Sequence, residues 1–311
     1  MSWIKKALER ARSERSAGEG AEGGLSSAAG GACALEGKPV PKPIYSRTRV
    51  LPVPEAVLLE NRIVAADESH AAAEQFKLLR TRIFQQMRPL GLNTLQVTGF
   101  RSREGKSTVA VNLAISIARD VRQTTLLVDL DFRRPAVHRL LALGDSLPGL
   151  KSFFLDGMPL QEVFVSPGIE KLTVLPAGGR VVNPTEMIGS PGMEALVKEL
   201  KGRYPDRFIV FDTPPVTECP DPLVFSDYVD AVLLVARADH TQTDQVKAAM
   251  DLLPREKLLG VVLNDASIPD LDESADGKET LFWKRRWRRW FHGGMARAGR
   301  WKGNGERGGG P

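Results

Sequence analysis

The chain has 311 residues, of which 42% are hydrophobic and 26% are charged, enough apolar material for one large domain or two small ones. Its net charge of +5 is uneven, because residues 281–311 carry nine Lys or Arg and one Glu while the remainder sums to −3, which argues against a nucleic-acid-binding domain. No stretch reaches the roughly 20 apolar residues of a membrane span, no signal peptide is recognisable, and Cys33 and Cys219 lack metal or redox spacing, which predicts a reduced cytoplasm.

The predicted elements begin with a short amphipathic helix over residues 1–15, where Ile4, Ala7, Leu8 and Ala11 recur at helical spacing. A helix this short is marginal in water without a partner. Residues 16–55 are predicted to be a flexible linker, because this part of the chain is rich in Gly, Ala and Ser and then in Pro. The folded domain is predicted over residues 56–268, and a basic aromatic tail over residues 269–311.

The first helix of the domain is predicted over residues 70–87. Its apolar face would carry three side chains inward, namely Phe76, Leu79 and Ile83. A second face would carry a charged trio, namely Glu74, Lys77 and Arg80. On pattern alone, this trio is typical of a solvated helix face.

Residues 98–108 contain the run Gly105-Lys106-Ser107-Thr108 between an apolar strand-like segment and a helix-like segment. A strand, a glycine-lysine-serine turn and a helix together form a phosphate-binding loop, in which backbone N–H groups and the lysine hold phosphates and the serine hydroxyl binds Mg²⁺. Phe100 stands where the motif has its first glycine. An ordinary loop with a chance match is the alternative on this segment alone.

Two later strand ends strengthen the prediction of a nucleotide site. An apolar run over residues 126–128 ends in Asp129 and Asp131, which share a face of an extended chain, and a run over residues 208–211 ends in Asp212. Carboxylates at the carboxyl ends of buried parallel strands lie where α/β sheets bind ligands. For each aspartate taken singly, a turn or helix-cap role is the alternative.

The order of elements predicts an α/β fold, with a mostly parallel sheet and helices on both faces. Strands are predicted at residues 126–128, 172–175, 208–211, 231–235 and 260–263. Helical patterns lie between most of them, as at residues 193–200 and 244–253.

Several of these segments together resemble the bacterial tyrosine kinases, the P-loop autokinases that regulate capsule and exopolysaccharide export and are related to the MinD/ParA ATPases. The resemblance rests on the run from Gly105 to Ala114, the pattern D-x-D-x-R-R-P that begins at Asp129, and the D-T-P-P box that begins at Asp212. It continues in Leu175-Pro176-Ala177-Gly178, in Asn183-Pro184-Thr185-Glu186 and from Asp230 to Asn264, so that it spans roughly residues 60–266. The segments Met1 to Glu9 and Arg203 to Arg207 are most similar to the subgroup associated with exosortase (PEP-CTERM) loci.

This resemblance implies a P-loop NTPase fold of the MinD/ParA type, with ATP and Mg²⁺ as cofactors. It implies catalytic roles for Lys106, Asp129, Asp131 and Asp212 and metal binding by Ser107, Asp129 and Asp212. Nucleotide contacts are expected from Arg103, Glu104, Gly105, Lys106, Ser107, Thr108, Arg133 and Asn264. Two alternatives stay open, since Arg133 could contact phosphates or anchor its loop, and Asn264 could contact adenine or serve as a turn residue.

The chain departs from the family where most members end in a cluster of tyrosines, because it has only Tyr45, Tyr204 and Tyr228. Arg101 also stands where MinD-type loops have an early lysine. The predicted function is an ATP-dependent protein-tyrosine autokinase that regulates exopolysaccharide or capsule synthesis or export. The alternative is a MinD/ParA-like ATPase switch in the same pathway that does not phosphorylate tyrosine. A scaffold without turnover is disfavoured by the intact lysine, serine and aspartates.

The partners follow from the same resemblance and from the tail. The expected activator is a separate membrane-spanning polysaccharide chain-length or export protein, and the family's E-x-x-R-x-x-R assembly motif suggests self-association through Glu74, Lys77 and Arg80. In the tail, one helical face would carry four aromatics, namely Trp283, Trp287, Trp290 and Phe291, surrounded by basic residues. This pattern predicts a cytoplasmic protein held peripherally at the inner face of the plasma membrane, by lipid or by a membrane partner. Packing of the aromatics on the domain is the main alternative, and nucleic-acid binding is a less favoured one.

Overall fold

The computed structural model describes residues 48–203 and 207–266. The predicted helix over residues 1–15, most of the predicted linker and the tail over residues 269–311 lie outside the described residues. Within the described ranges, no helix combines the length and the apolar character needed to cross a bilayer.

The strands of the described residues form one eight-stranded sheet in the order β1-β4-β5-β3-β6-β2-β7-β8. Neighbouring strands run parallel except β4 and β5, which are antiparallel. The strands are β1 (Arg49–Val50), β2 (Thr94–Gly99), β3 (Thr124–Asp129), β4 (Val165–Ser166), β5 (Leu172–Leu175), β6 (Arg207–Asp212), β7 (Ala231–Arg237) and β8 (Leu258–Asn264). All five predicted strands and the mostly parallel sheet are confirmed.

Helices cover both faces of this sheet, as predicted. One core contains residues of α1 (Glu55–Glu60), α2 (Ala71–Met87), α3 (Lys106–Ala118) and α4 (Val137–Leu140). The core on the other face contains residues of α5 (Leu150–Leu155), α6 (Pro184–Ile188), α7 (Pro191–Arg203), α8 (Asp221–Ser226) and α9 (Thr243–Leu252). Strand β3 contributes Leu127 to the first core and Leu126 and Val128 to the second, because successive side chains of a strand point to opposite faces. A strand buried on both faces has a continuous apolar run, which is why these strands could be recognised in the sequence.

The first strand of the sheet lies in the stretch that the sequence assigns to the linker. Arg49 pairs with Val165, and the backbone N–H of Leu51 donates to the carbonyl of Ser166 at 2.8 Å. Leu51 and Val53 also pack against the first core. The folded domain therefore begins before Ala56, because the chain already pairs with the sheet at Arg49 and these apolar side chains are partly buried, although they lie in a proline-rich stretch.

Helix α2 begins one residue after His70, whose Nδ1 accepts a hydrogen bond from the N–H of Ala72 at 3.1 Å. Such a side-chain acceptor satisfies one of the free N–H groups of the first turn. Ile83 is buried and Phe76 and Leu79 are partly buried against the first core, as the helical spacing predicts. The ring of Phe84, which the predicted apolar face did not include, lies edge-on to Phe208 of β6 at 5.5 Å.

The order of the strands decides where a ligand can bind. Strands β3, β6 and β2 are adjacent and parallel, so their carboxyl ends meet at one edge of the sheet. Within the sheet, β6 and β3 lie on one side of β2 and β7 lies on its other side, so the strand order reverses at β2. Ligands of open α/β sheets bind at such a change in strand order.

Candidate functional site

The loop between β2 and α3 turns its backbone through two left-handed residues, Arg103 with φ 68° and Gly105 with φ 86°. Successive N–H groups in such turns form a concave site for anions, and the start of α3 adds its own free N–H groups and positive dipole end. Glycine suits position 105, since the positive φ disfavours other residues and a Cβ there would lie 2.1 Å from Nδ2 of Asn264, which would have to move. That same Nδ2 donates to the carbonyl of Glu104 at 3.0 Å. Asn264, at the end of β8, therefore lies against the loop.

The side chain of Glu104 braces the loop from within. Glu104 is 5% exposed, and one oxygen of its carboxylate accepts hydrogen bonds from the N–H groups of Phe100 and Arg101, both at 2.7 Å. Its other oxygen accepts the hydroxyl of Thr241 at 2.7 Å. A nucleotide contact from Glu104 is consequently left to its backbone. Thr241 could not be identified from the sequence, because it is 137 residues away.

Lys106 is only 7% exposed, because its stem folds back over the end of β2. A Cβ at Gly99 would lie 2.8 Å from the Cδ and Cγ atoms of Lys106 and 2.8 Å from the carbonyl oxygen of Val235. Gly99 therefore makes room for the lysine. The positive charge of Lys106 lowers the pKa of Asp212 at the end of β6.

Asp212 is fully buried, and neither of its carboxylate oxygens has a hydrogen bond of good geometry within the described residues. Burial raises the pKa of Asp212 to about 7, against the opposing effects of the nearby Ser107 hydroxyl and of Lys106. An ionised carboxylate without partners is costly in a protein interior. Binding of a cation or of a proton would therefore stabilise the buried Asp212 carboxylate.

Asp129 pairs in register with Asp212 on the adjacent strand and is also fully buried. Both of its oxygens accept hydrogen bonds, Oδ1 from the N–H of Asp131 at 3.1 Å and Oδ2 from the N–H groups of Ala136 at 3.2 Å and Val137 at 3.1 Å. Burial and the charge of Asp212 raise the pKa of Asp129 well above its usual range. Asp129 therefore anchors the loop that follows β3, the turn role that the sequence left open.

Asp131 is 7% exposed and keeps more of its acceptor capacity. One oxygen accepts the N–H of Arg134 at 2.8 Å; the other has no hydrogen-bond partner among the residues that the structure describes. The charges of Asp129 and Asp212 both interact with that of Asp131. The three predicted carboxylates are thus brought together at the carboxyl ends of β3 and β6.

The guanidinium of Arg133 is bonded to Asp221 and is therefore not free to interact with this carboxylate cluster. Its Nε and Nη2 atoms donate to the two carboxylate oxygens of Asp221 at 2.9 and 3.1 Å, and Thr185 bonds the same carboxylate. The bond to Asp221 raises the pKa of Arg133. Burial opposes ionisation of Asp221, but the bonds from Arg133 and Thr185 outweigh it and lower the pKa of the Asp221 carboxyl. Of the two roles left open by the sequence, the geometry favours loop anchoring. Asp221 and Thr185 were not identified, because they are 88 and 52 residues away.

Ser107 and Thr108 complete the predicted set in the first turn of α3, both half-buried. The first N–H groups of a helix have no partner within it, so those of this turn remain available to an anion. The structure therefore places a phosphate-type loop, a buried lysine and three carboxylates at one edge of the sheet.

Comparison with known proteins agrees with this geometry. The CobQ/CobB/MinD/ParA nucleotide binding domain family matches residues 95–279. Tyrosine-protein kinase YwqD of Bacillus subtilis (strain 168) is 29% identical over 209 residues, which cover 66% of this chain and 86% of that protein. The putative tyrosine-protein kinase CapB of Staphylococcus aureus is 31% identical over 198 residues, which cover 63% of this chain and 85% of that protein.

Solved structures of bacterial tyrosine kinases are also similar to this chain. The chimerical protein CapA2B2 matches with a TM-score of 0.62 and 31% identity over 73% of this chain and 96% of that chain. The kinase domain of Escherichia coli tyrosine kinase ETK matches with a TM-score of 0.61 and 25% identity over 75% and 95% of the respective chains. The predicted MinD/ParA-type fold and the predicted family are confirmed, while the exosortase-associated subgroup stays a prediction. This chain belongs to the CobQ/CobB/MinD/ParA nucleotide-binding family and, within it, to the bacterial tyrosine-protein kinases.

Proposed function

We propose that this chain is an ATP-dependent protein-tyrosine kinase that acts in exopolysaccharide or capsule synthesis or export. The observation that carries the proposal is the buried Asp212 carboxylate, which lacks hydrogen-bond partners in the described residues and lies near Lys106 and Ser107 of the phosphate loop. The names of the relatives support tyrosine phosphorylation. The pathway rests on the resemblance of the sequence motifs.

The nucleotide would bind along the loop. The N–H groups of residues 103–108 and the ammonium of Lys106 would hold the β- and γ-phosphates. Asn264 supports Glu104 through its Nδ2, while its Oδ1 has no hydrogen bond in the described part of the chain. That oxygen is available to accept the adenine amino group, as the family resemblance suggests.

The donor set fits Mg²⁺. Among the described residues, no group of three or more His, Cys, Asp or Glu is placed to hold a metal ion by itself. Mg²⁺ commonly takes only one or two carboxylates and completes its shell with phosphates and water. Asp212 and the Ser107 hydroxyl would hold it, with Asp129 behind them. When bound, Mg²⁺ neutralises charge that develops on the phosphates.

The carboxylate that faces the incoming hydroxyl would be Asp131 rather than Asp129. Both oxygens of Asp129 accept backbone N–H groups, three in all, whereas Asp131 accepts one and keeps its other oxygen without a partner in the described residues. Its contribution would come from alignment of the acceptor more than from basicity. This reverses the order expected from sequence.

The acceptor tyrosine would not be Tyr228 of the same chain. Tyr228 precedes β7, so it lies at the amino ends of the parallel strands, opposite the phosphate loop, and its ring packs on Phe225 at 6.0 Å. Tyr45 and Tyr204 lie outside the described residues. Among the described residues, Tyr228 is thus not placed to accept phosphate in the site of its own molecule.

We place the protein in the cytoplasm, at the inner face of the plasma membrane, with a separate membrane-spanning activator. Self-association would use the α2 face with Glu74, Lys77 and Arg80. In the isolated chain Lys77 pairs with Glu74 at 2.6 Å and Arg80 donates to the carbonyl of Ser116 at 2.5 Å. Lys77 is therefore the more accessible of the two cations to a neighbouring copy, because its bond to Glu74 is exposed whereas that of Arg80 to Ser116 is partly buried.

Transfer and hydrolysis are separated by following both products. Full-length protein is incubated with Mg²⁺ and γ-labelled ATP, with and without membranes that contain its activator, and phosphotyrosine and free phosphate are measured. We expect phosphotyrosine on the chain or on a membrane protein. Release of free phosphate without any phosphotyrosine would instead support the ATPase-switch alternative.

A further inference from the structure

Three side chains from three different loops meet at the rim of the phosphate loop. Oε1 of Glu218 accepts the backbone N–H of Ser102 at 2.6 Å, and Oε2 accepts the Ser102 hydroxyl at 2.6 Å. Nη1 of Arg134 donates to that hydroxyl oxygen at 2.7 Å. We call Ser102, Arg134 and Glu218 the loop clamp.

Glu104 and the loop clamp together divide the N–H groups of the phosphate loop into two sets. Glu104 accepts those of Phe100 and Arg101, and Glu218 accepts that of Ser102. The groups from Arg103 onward remain for phosphates. The two carboxylates therefore fix the first half of the loop, and the geometry of the second half depends on where the first half is held.

The clamp also connects the loop to the carboxylate cluster. The backbone N–H of Arg134 donates to Asp131 at 2.8 Å, and Glu218 lies six residues after Asp212 on the loop that follows β6. The carboxyl ends of β2, β3 and β6 are thus joined through side chains, in addition to their ladder hydrogen bonds. Arg133, the neighbour of Arg134, is engaged with Asp221 on the other side.

The charges of the clamp favour its formation. Although burial opposes ionisation, the bonds from Ser102 and the positive charges of Arg134 and Lys106 lower the pKa of Glu218. The carboxylate is therefore ionised at neutral pH, and hydrogen bonds to an ionised acceptor are stronger than those between neutral groups.

We propose that Arg134 and Glu218 are positioning residues for the phosphate loop, which hold Ser102 so that the N–H groups from Arg103 to Thr108 are preorganised for the phosphates of ATP. This rests on the proposed nucleotide binding at the same loop. Preorganised donors bind more tightly because less order has to be gained on binding. The clamp residues themselves need not touch the nucleotide.

The sign of the effect separates positioning from simple charge. Glu218 is negative and close to Lys106, so removal of its charge alone should strengthen binding of an anionic nucleotide. If Glu218→Ala weakens ATP binding, the cause must therefore be the loss of the hydrogen bonds to Ser102 and not the loss of the negative charge. Glu218→Gln removes the same charge but keeps an oxygen for the Ser102 N–H and a polar group for its hydroxyl.

The test measures Mg²⁺-ATP affinity and amide exchange of Ser102 on the full chain. We expect Glu218→Ala to weaken ATP binding by about tenfold, the loss typical of hydrogen bonds to a charged group, and to speed exchange at Ser102. Glu218→Gln should bind ATP at least as tightly as the wild type. Glu256→Ala, an exposed glutamate before β8, is the matched control and should change neither quantity.

Arg134 is tested in a cycle with Ser102. Arg134→Ala should weaken ATP binding severalfold, but much less when Ser102 is already Ala, because the shared hydroxyl is then absent. Arg122→Ala, an exposed arginine at the amino end of β3, is the control. Additive effects, a Glu218→Gln variant as weak as Glu218→Ala, or wild-type values in Glu218→Ala would each overturn the proposal. If the wild type itself does not bind ATP, the proposed function fails, whereas exchange at Ser102 still reports on the clamp.

Discussion

At the scale of single residues, Gly105 shows how backbone conformation and packing restrict one position together. Its φ of 86° is disfavoured for residues with a side chain, and a Cβ would collide with Nδ2 of Asn264 at 2.1 Å. Gly105→Ala should therefore cost about 1–2 kcal/mol of stability and displace Asn264 from the loop. Denaturation and ATP titration measure the two effects.

Gly202→Ala is the control for that substitution. Gly202 lies in helix α7, and a Cβ at this position would meet no atom within 4 Å, so alanine should leave stability unchanged or raise it by up to about 1 kcal/mol. Equal effects at the two glycines would remove the argument from the phosphate loop.

The second prediction concerns the two fully buried aspartates. Asp129 accepts three backbone N–H groups, so Asp129→Ala should destabilise the fold by roughly 2–4 kcal/mol as well as lower activity. Asp212→Asn leaves no such donors unpaired and should lower turnover by about a hundredfold or more while the protein stays folded and binds ATP. Turnover within twofold of the wild type in Asp212→Asn would make that aspartate structural.

The same carboxylate gives stability a pH dependence in the absence of Mg²⁺ and nucleotide. The pKa of Asp212 is about 7 in the folded chain and about 4 when unfolded, so the folded state holds a proton that the unfolded state has lost. Stability should therefore fall as pH rises from about 4 to 7, by an amount on the order of a few kcal/mol. Asp212→Asn should lack this loss, so the variant should be more stable than the wild type at pH 8 and equal to it near pH 4. Parallel pH profiles of the two proteins would show that Asp212 is ionised throughout.

At the scale of elements, Asp230 holds the amino ends of β2 and β7 together. Its Oδ2 accepts the N–H groups of Asn93 and Thr94, both at 3.1 Å, and the Thr94 hydroxyl at 2.7 Å, while Oδ1 pairs with Lys201 of α7. Although burial opposes ionisation, these bonds lower the pKa of Asp230. This stability contribution is present above about pH 4 and is lost as pH falls through the lower folded pKa.

Asp230→Ala should thus cost about 2–4 kcal/mol in denaturant unfolding, because it leaves buried donors without partners. Lys201→Ala should cost less, since its side chain is 39% exposed. ATP affinity of the folded variants should be unchanged, as Asp230 lies at the opposite ends of the strands from the phosphate loop. A stability loss confined to Lys201→Ala would contradict this explanation.

Helix α2 carries the prediction for assembly. Lys77→Glu reverses a charge of the predicted contact face whose present ion pair, with Glu74, is exposed, and it should shift the protein toward monomer in light scattering. Arg80 is less suitable, because its bond to the Ser116 carbonyl also supports the packing of α2 on α3. Arg82→Glu, on an exposed position of the same helix, is the control; unchanged assembly in Lys77→Glu would return the trio to a solvated face.

At the scale of the whole molecule, much of the fold could be predicted because its signals are local. Continuous apolar runs indicated the buried strands. Lys106 and Asp212 come at or just after the carboxyl ends of two of these strands, where α/β sheets bind ligands. The partners of Arg133 and Glu104 could not be predicted, since Asp221 and Thr241 are 88 and 137 residues away and their pairing depends on tertiary packing. Asp129 and Asp131 look alike in sequence; only their hydrogen bonds separate an anchor from an available acceptor.

The tail over residues 269–311 remains a prediction from sequence. Deletion of residues 281–311 should release the protein from anionic vesicles at low salt and leave ATP binding intact, because five clustered cations each add roughly 1 kcal/mol at an anionic surface. If the full-length chain does not sediment with such vesicles, direct lipid binding is wrong and a protein partner remains.

The most direct test of the central claim is phosphotyrosine formation from Mg²⁺-ATP by the wild type and by Lys106→Met. The ammonium of Lys106 is the buried cation at the loop, close to Asp212, and methionine keeps the length of its stem while removing the charge. We predict that the wild type forms phosphotyrosine on itself or on a membrane protein and that Lys106→Met, folded by circular dichroism, forms none. Equal phosphotyrosine formation by the two proteins would contradict the assignment of this loop as the site of phosphoryl transfer.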